Sequence, residues 1–149
     1  MLFASLQEKG GNYTAAVEAY RKVLVQEPAN VVALNNLAYD LAEYANQSDE
    51  ALKYAQKASE LAPDAPAVQN TLGWVLYRKG LYSMALPHLE NAADKEPSAR
   101  RKCHVAMAYL RMRDQDREQK NLNAALKLDP SAPEIRATQQ MFEAFEGAR

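Results

Sequence analysis

The side chains that could carry chemistry are few and scattered. His88 and His104 are the only histidines and Cys103 the only cysteine. Cys103 and His104 are adjacent, a tempting pair for nucleophilic catalysis, but neighbouring positions on a helix point about 100° apart and do not meet. The simpler expectation is a partly exposed pair. A metal would need two further spaced ligands, which neither residue has nearby. Glycines stand singly or at turns, so there is no glycine-rich loop to cradle a phosphate. The run from Arg111 to Lys120 mixes Asp114, Asp116 and Glu118 with its basic residues and reads as a solvated turn and helix start. These residues predict no enzyme, no cofactor and no metal.

The elements that would position any site are helices. Of 149 residues, 48% are hydrophobic and 27 are alanine, which joins the best helix propensity to the least bulk. Five glycines and seven prolines leave few turns, and they fall between apolar-periodic segments. Net charge is −1, with 18 basic and 19 acidic residues, so no broad footprint for nucleic acid or an anionic membrane is present. No apolar run approaches the roughly 20 residues that cross a bilayer. The first residues lack the basic-then-apolar pattern of a signal peptide. Met1-Leu2-Phe3 reads as the middle of a helix, which suggests a piece of a longer protein. The single cysteine cannot form an intramolecular disulfide and points to no redox compartment.

Apolar spacing predicts a helix tail at Met1 to Lys9, broken by Gly10-Gly11-Asn12, then a helix from Tyr13 to Gln26. The next pair runs from about Asn30 to Tyr44 and, with Ser48 or Asp49 as N-cap, on to Leu61. Pro66 opens a third pair that turns at Gly80 and carries Pro87 early in its second helix, where a missing donor should cost little. The fourth pair spans Ala99 to Met112 and Asp114 to Leu128, and a last helix covers Ala132 to about Gly147.

These segments repeat. Pro28, Pro63, Pro97 and Pro130 stand 35, 34 and 33 residues apart. Five residues before each lies Val23, Ala58, Ala92 or Ala125; eight before, Tyr20, Ala55, Leu89 or Leu122; twelve before, Ala16, Ala51, Ala85 and then Glu118. With Leu72-Gly73, Gly80 and Tyr82 in the third unit, the pattern resembles the tetratricopeptide repeat. The resemblance implies an all-α, right-handed superhelical stack of antiparallel helix pairs with a C-terminal capping helix. It divides the chain into a partial repeat (1–30), three repeats (31–65, 66–98 and 99–131) and a cap (132–147). Gln69 and Leu34 occupy the place where the family usually puts a large aromatic residue, and the second unit has one extra residue in its turn.

In such arrays the first helix of each pair lines a concave surface. Carried onto this sequence, that pattern offers Asn35, Asn36 and Tyr39 from the second unit. The third supplies Asn70, Trp74, Tyr77 and Arg78, and the fourth Arg100, His104, Met107 and Arg111. Asparagine can pair with an extended peptide backbone, arginine with a carboxylate, and Trp and Tyr supply anchor area. Three helices about 10 Å across make a groove of about 30 Å, room for roughly nine extended residues.

The resemblance therefore implies a protein–protein interaction scaffold that presents a groove to an extended peptide or a partner helix. The alternatives are a structural assembly element that self-associates through its ends, or the regulatory segment of a longer protein. Asn35 and Arg100 match in kind the set by which some family members hold acidic chaperone tails, but Tyr39 and Thr71 do not. The phrase Leu72 to Tyr77 is similar to that of bacterial family members in envelope assembly or polysaccharide export, which suggests a cytoplasmic or envelope-associated setting without direct membrane insertion. If Trp74 faces the groove, Trp74→Ala with Arg78→Ala should abolish partner capture without unfolding the chain.

Overall fold

The computed structural model describes residues 1–148 as nine helices without a strand. They are α1 (Leu2–Lys9), α2 (Tyr13–Gln26), α3 (Val31–Glu43), α4 (Ser48–Leu61), α5 (Pro66–Arg78), α6 (Tyr82–Lys95), α7 (Ala99–Arg111), α8 (Gln115–Leu128) and α9 (Pro133–Gly147). Each odd-numbered helix packs antiparallel on the next, and each pair packs on the one that follows. The odd helices also meet one another directly, α3 on α5 and α5 on α7, and so form one continuous inner layer.

Local chemistry sets the ends. Asn30 and Ser98 cap α3 and α7, their side chains accepting from the amides of Ala33 and Arg101 at 3.0 and 3.2 Å. α5 and α9 instead begin with Pro66 and Pro133, whose missing donors fall where helices leave donors free. Asn12 and Asp114 cap α2 and α8. The expected cap at Ser48 or Asp49 is not made: α4 already begins at Ser48, and the flanking residue is Gln47, without a side-chain hydrogen bond.

Each odd-to-even turn contains one residue in the left-handed region, namely Gly11, Asn46, Gly80 and Arg113. That geometry returns the following amide to a carbonyl of the helix just ended, as from Leu81 to Leu76 and from Asp114 to Tyr109, both at 3.0 Å. Pro28, Pro63, Pro97 and Pro130 each lie one residue past the helix C-cap. Pro87 is less innocent than its early position suggests. It lies beyond the free N-terminal donors, since Ala85 already bonds the Leu81 carbonyl, so α6 lacks the bond to the Ser83 carbonyl.

Small residues let the helices touch. Ala16, Ala51 and Ala85 are buried, and a Cβ added at Gly73 would lie 2.7 Å from Leu89 Cγ. Gln69, where a large aromatic was the family expectation, is instead a buried polar bracket. Its amide donates to the Pro63 carbonyl at 2.7 Å and to Ser59 at 3.2 Å, while its oxygen meets His88 Nδ1 at 2.7 Å. Glu118 stands at the small-residue position of α8 and is 1% exposed, with both carboxylate oxygens unpartnered. Burial, reinforced by Glu146, raises its pKa.

α9 does more than cover an end. Ile135, Thr138 and Met141 repeat every three residues and face α7 and α8, and the Thr138 hydroxyl donates to the Glu134 carbonyl at 2.7 Å. Met141 reaches further still, to Tyr77 of α5, whose hydroxyl lies 3.4 Å from its sulfur. The last helix therefore lies across part of the inner layer.

Candidate functional site

The inner layer has two halves with different fates. Helical register places Asn70, Trp74 and Tyr77 on one face of α5, and His104, Met107 and Arg111 on the facing side of α7. Near the N-terminal ends of these helices the face is open. Towards their C-terminal ends it is closed by packing.

The closed half is an aromatic stack. His104 lies on Trp74 with ring centroids 4.0 Å apart and planes 15° from parallel, and Trp74 lies on Tyr77 at 4.7 Å and 9°. Trp74 is only 5% exposed and donates its indole N–H to Glu43 of α3 at 2.7 Å. His104 is 2% exposed. Burial, with Arg100 and Arg101 nearby, lowers its pKa to about 3, so the ring is neutral. A neutral ring has one N–H, and Nδ1 donates it to Asn70 Oδ1 at 3.1 Å. Met107 is buried beside the stack.

The expectation that Trp74, Tyr77, His104 and Met107 face a free groove is thus corrected. They hold α3, α5, α7 and α9 together. Arg111 lies outside the open half, its Nε 3.4 Å from the Tyr77 hydroxyl, and Arg78 is exposed beyond it. The expected surface pair Cys103–His104 is also corrected, since both are buried and they point apart. Cys103 packs among Leu122 and Ile135 and carries a thiol pushed up by burial, whereas His104 faces Asn70.

The open half is a groove of about 910 Å³, within the size range of ligand sites. Five of the expected residues line it: Asn35, Asn36, Tyr39, Asn70 and Arg100. Asn35 donates to Asn36 at 3.2 Å, and its own Oδ1 is buried without a partner. Asn36 donates to the Tyr20 hydroxyl at 3.0 Å. Arg100 donates from Nε to Glu134 of α9 at 2.7 Å, with its guanidinium carbon 6.0 Å from the centre of the Tyr39 ring. Burial, with Glu43 next, pushes the Tyr39 phenol up to about 12.

Sequence reasoning missed the first wall of this groove and its floor. Glu8 and Lys9 of α1, Tyr13 of α2, and Asp40 and Tyr44 around the end of α3 all line it. Tyr13 and Tyr44 stack with centroids 3.4 Å apart, and Tyr39 meets Tyr44 edge-on at 6.4 Å. The available signal was Asp40, four residues after Asn36 and hence on the same face of α3. Among the described residues no three His, Cys, Asp or Glu side chains gather as metal ligands would, and no helix is long and apolar enough to cross a membrane.

Models of the tetratricopeptide repeat match residues 1–30, 40–100 and 99–131. With the helix pairs described above, these matches make the chain a member of the tetratricopeptide repeat family. The chain is 34% identical over 105 residues to a TPR repeat-containing protein of Pseudomonas aeruginosa, which covers 70% of this chain and 17% of that protein. A small glutamine-rich tetratricopeptide repeat-containing protein of Mycosarcoma maydis is 30% identical over 87 residues, or 58% of this chain and 24% of the other. The chain therefore spans a quarter or less of these relatives' length.

Among solved structures, MamA superposes with a TM-score of 0.73 at 18% identity, covering 99% of this chain and 86% of its own. A thermophilic TPR protein of Thermus thermophilus gives 0.75 at 19%, covering 95% and 77%. YrrB, described as a TPR protein with an unusual peptide-binding site, gives 0.72 at 19%, covering 92% and 71%. The fold is the superhelical stack that the repeat implied. The family is typically a non-catalytic scaffold for protein–protein interaction.

Proposed function

We propose that this chain is an interaction module whose open groove, between α3 and the N-terminal halves of α5 and α7, receives an extended peptide of a partner protein. The observation that carries this reading is Asn35. A buried amide oxygen with no partner costs about 1–3 kcal/mol, and the residue that carries this one lines the groove. A peptide N–H would satisfy it. Asn36, Tyr39 and Asn70 surround that point, and Arg100 closes the far side through Glu134. The peptide-binding site named for YrrB supports the same use of the fold, although the likeness there is one of fold. Because the Trp74 half is closed by the stacked His104 and Tyr77, the peptide crosses only the open part of the inner layer.

The test is selection of linear peptides from a random displayed library on the purified chain, followed by calorimetry with Asn35→Ala. We expect micromolar binders, worth about −8 kcal/mol, that lose at least about tenfold in affinity on Asn35→Ala while its melting stays near wild type. Failure to select any peptide, or peptides indifferent to Asn35, would remove the groove reading. The assembly alternative is favoured by one observation, the exposed Leu2, Phe3 and Leu6 on α1. A mass that doubles with concentration in light scattering, and that Phe3→Asp abolishes, would support it.

A further inference from the structure

Asp40 has no structural reason to be charged where it lies. It lines the groove, yet it is 3% exposed and its Oδ2 has no hydrogen-bond partner. Glu8 of α1 is the acid whose charge bears on Asp40, and it bears on the Tyr20 hydroxyl as well. Two carboxyls sharing a buried corner cannot both ionise without a cation between them. Burial first, and Glu8 second, accordingly push the Asp40 carboxyl up to about 8.

The cations of the groove do not fill this corner. Arg100 is engaged with Glu134, and Arg101 pairs with Glu96 at 3.1 Å. Lys9 is exposed at the rim. Beside the two acids lie Asn36, the Tyr13–Tyr44 stack and the edge-on Tyr39. Carboxyls at the base with tyrosine rings beside them make a site for an ammonium or guanidinium on an apolar stem. An apolar or ionised acidic side chain would leave Asp40 Oδ2 unpaired, and a neutral donor would bring no charge to the two acids.

Resting on the groove reading above, we propose that Glu8 and Asp40 seat a lysine or arginine side chain of the bound peptide. The cation donates to Asp40 Oδ2 and to Glu8, while its stem lies along the tyrosines. Its arrival favours the ionised form of Asp40, so binding releases a proton near neutral pH. The groups that bear on this titration are Glu8 and Lys9 of α1, Tyr13 and Tyr20 of α2, Tyr39 and Glu43 of α3, and Arg100 of α7. Of these, Tyr20 and Tyr39 are held well above neutrality by burial.

The experiment uses the peptides selected from the random library on the whole chain. Enriched families should carry one basic residue at a fixed position. A synthetic peptide of one family and its Lys→norleucine (or Arg→norleucine) version are then titrated calorimetrically into wild type, Asp40→Asn and Glu8→Gln. Norleucine should weaken binding to wild type at least about tenfold but to Asp40→Asn less than about twofold, a coupling of roughly 1 kcal/mol. The basic peptide should release a proton into the buffer on binding wild type and none on binding Asp40→Asn. Glu8→Gln, at the less buried partner, gives the same comparison should Asp40→Asn alter the fold. Families without a basic residue, or an equal norleucine loss in all three proteins, overturn the cation seat; Asn35→Ala still decides the groove itself. If no peptide is selected, both readings fall.

Discussion

Gly73→Ala isolates the contact on which the α5–α6 pair depends. In a solvent-exposed helix this change would stabilise the protein by about 1 kcal/mol, because alanine is the better helix former. Here the new Cβ would lie 2.7 Å from both Cγ and Cδ2 of Leu89 and 3.0 Å from its backbone nitrogen. Carbon atoms rest at about 3.5–4.0 Å, so the overlap is close to 1 Å. Leu89 is fully buried and cannot swing aside, and its backbone moves only if α6 moves with it. Overpacking of this kind costs about 1–3 kcal/mol, which leaves a net loss of about 0–2 kcal/mol after the propensity gain. Urea titration followed by circular dichroism would measure it. In a double-mutant cycle, Leu89→Ala should remove the clash, so that Gly73→Ala in that background becomes neutral or stabilising. A Gly73→Ala protein more stable than wild type would refute the close-contact reasoning.

Three further outcomes follow from the same structure. Arg113 holds a left-handed conformation with φ of 61°, so Arg113→Gly should stabilise the chain by ~0.5–1 kcal/mol in the same titration, whereas glycine elsewhere would weaken it. Trp74→Ala should destabilise by ~3–5 kcal/mol, against the earlier expectation of an intact fold, since it removes a buried indole and leaves Glu43 unpaired. The third concerns pH. Folded Asp40 keeps its proton up to about 8 while unfolded Asp loses it near 4, so its contribution falls as pH rises through that window. Folded His104 stays neutral down to about 3 while unfolded His gains a proton near 6.5, so its contribution falls as pH drops through that window. The two offset between about 4 and 6.5. Above that range His104 no longer offsets Asp40, and thermal melts of Asp40→Asn should show a gain over wild type that grows from pH 6.5 to pH 8.

The helix ends and the close contacts were legible because their causes are local. A proline after each second helix, a glycine at two of the turns and a small residue at three of the four crossings act within a few positions of themselves. The inner surface was legible only as a set of register positions. That Asn35, Asn36, Tyr39, Asn70 and Arg100 share an open wall, while Trp74, Tyr77, His104 and Met107 do not, depends on how side chains from different helices stack on one another. Met141 reaching Tyr77 is a contact across 64 residues, and nothing in the spacing around Trp74 encodes it. The Glu8–Asp40 corner was hidden for a similar reason. Each acid alone reads as a surface residue, and only the packing of α1 and α2 against α3 turns Asp40 into a buried one.

The central claim is that partner contact falls on the open half of the inner layer. The side-chain amide signals of Asn35, Asn36 and Asn70 report on it directly, with the single indole signal of Trp74 as a marker of the closed half. A nitrogen–proton correlation titration with a library-selected peptide should shift or slow the exchange of those three amide pairs and leave the Trp74 indole nearly still. Shifts confined to Leu2, Phe3 and Leu6 of α1, or a large movement of the Trp74 indole with the asparagines unchanged, would contradict the account.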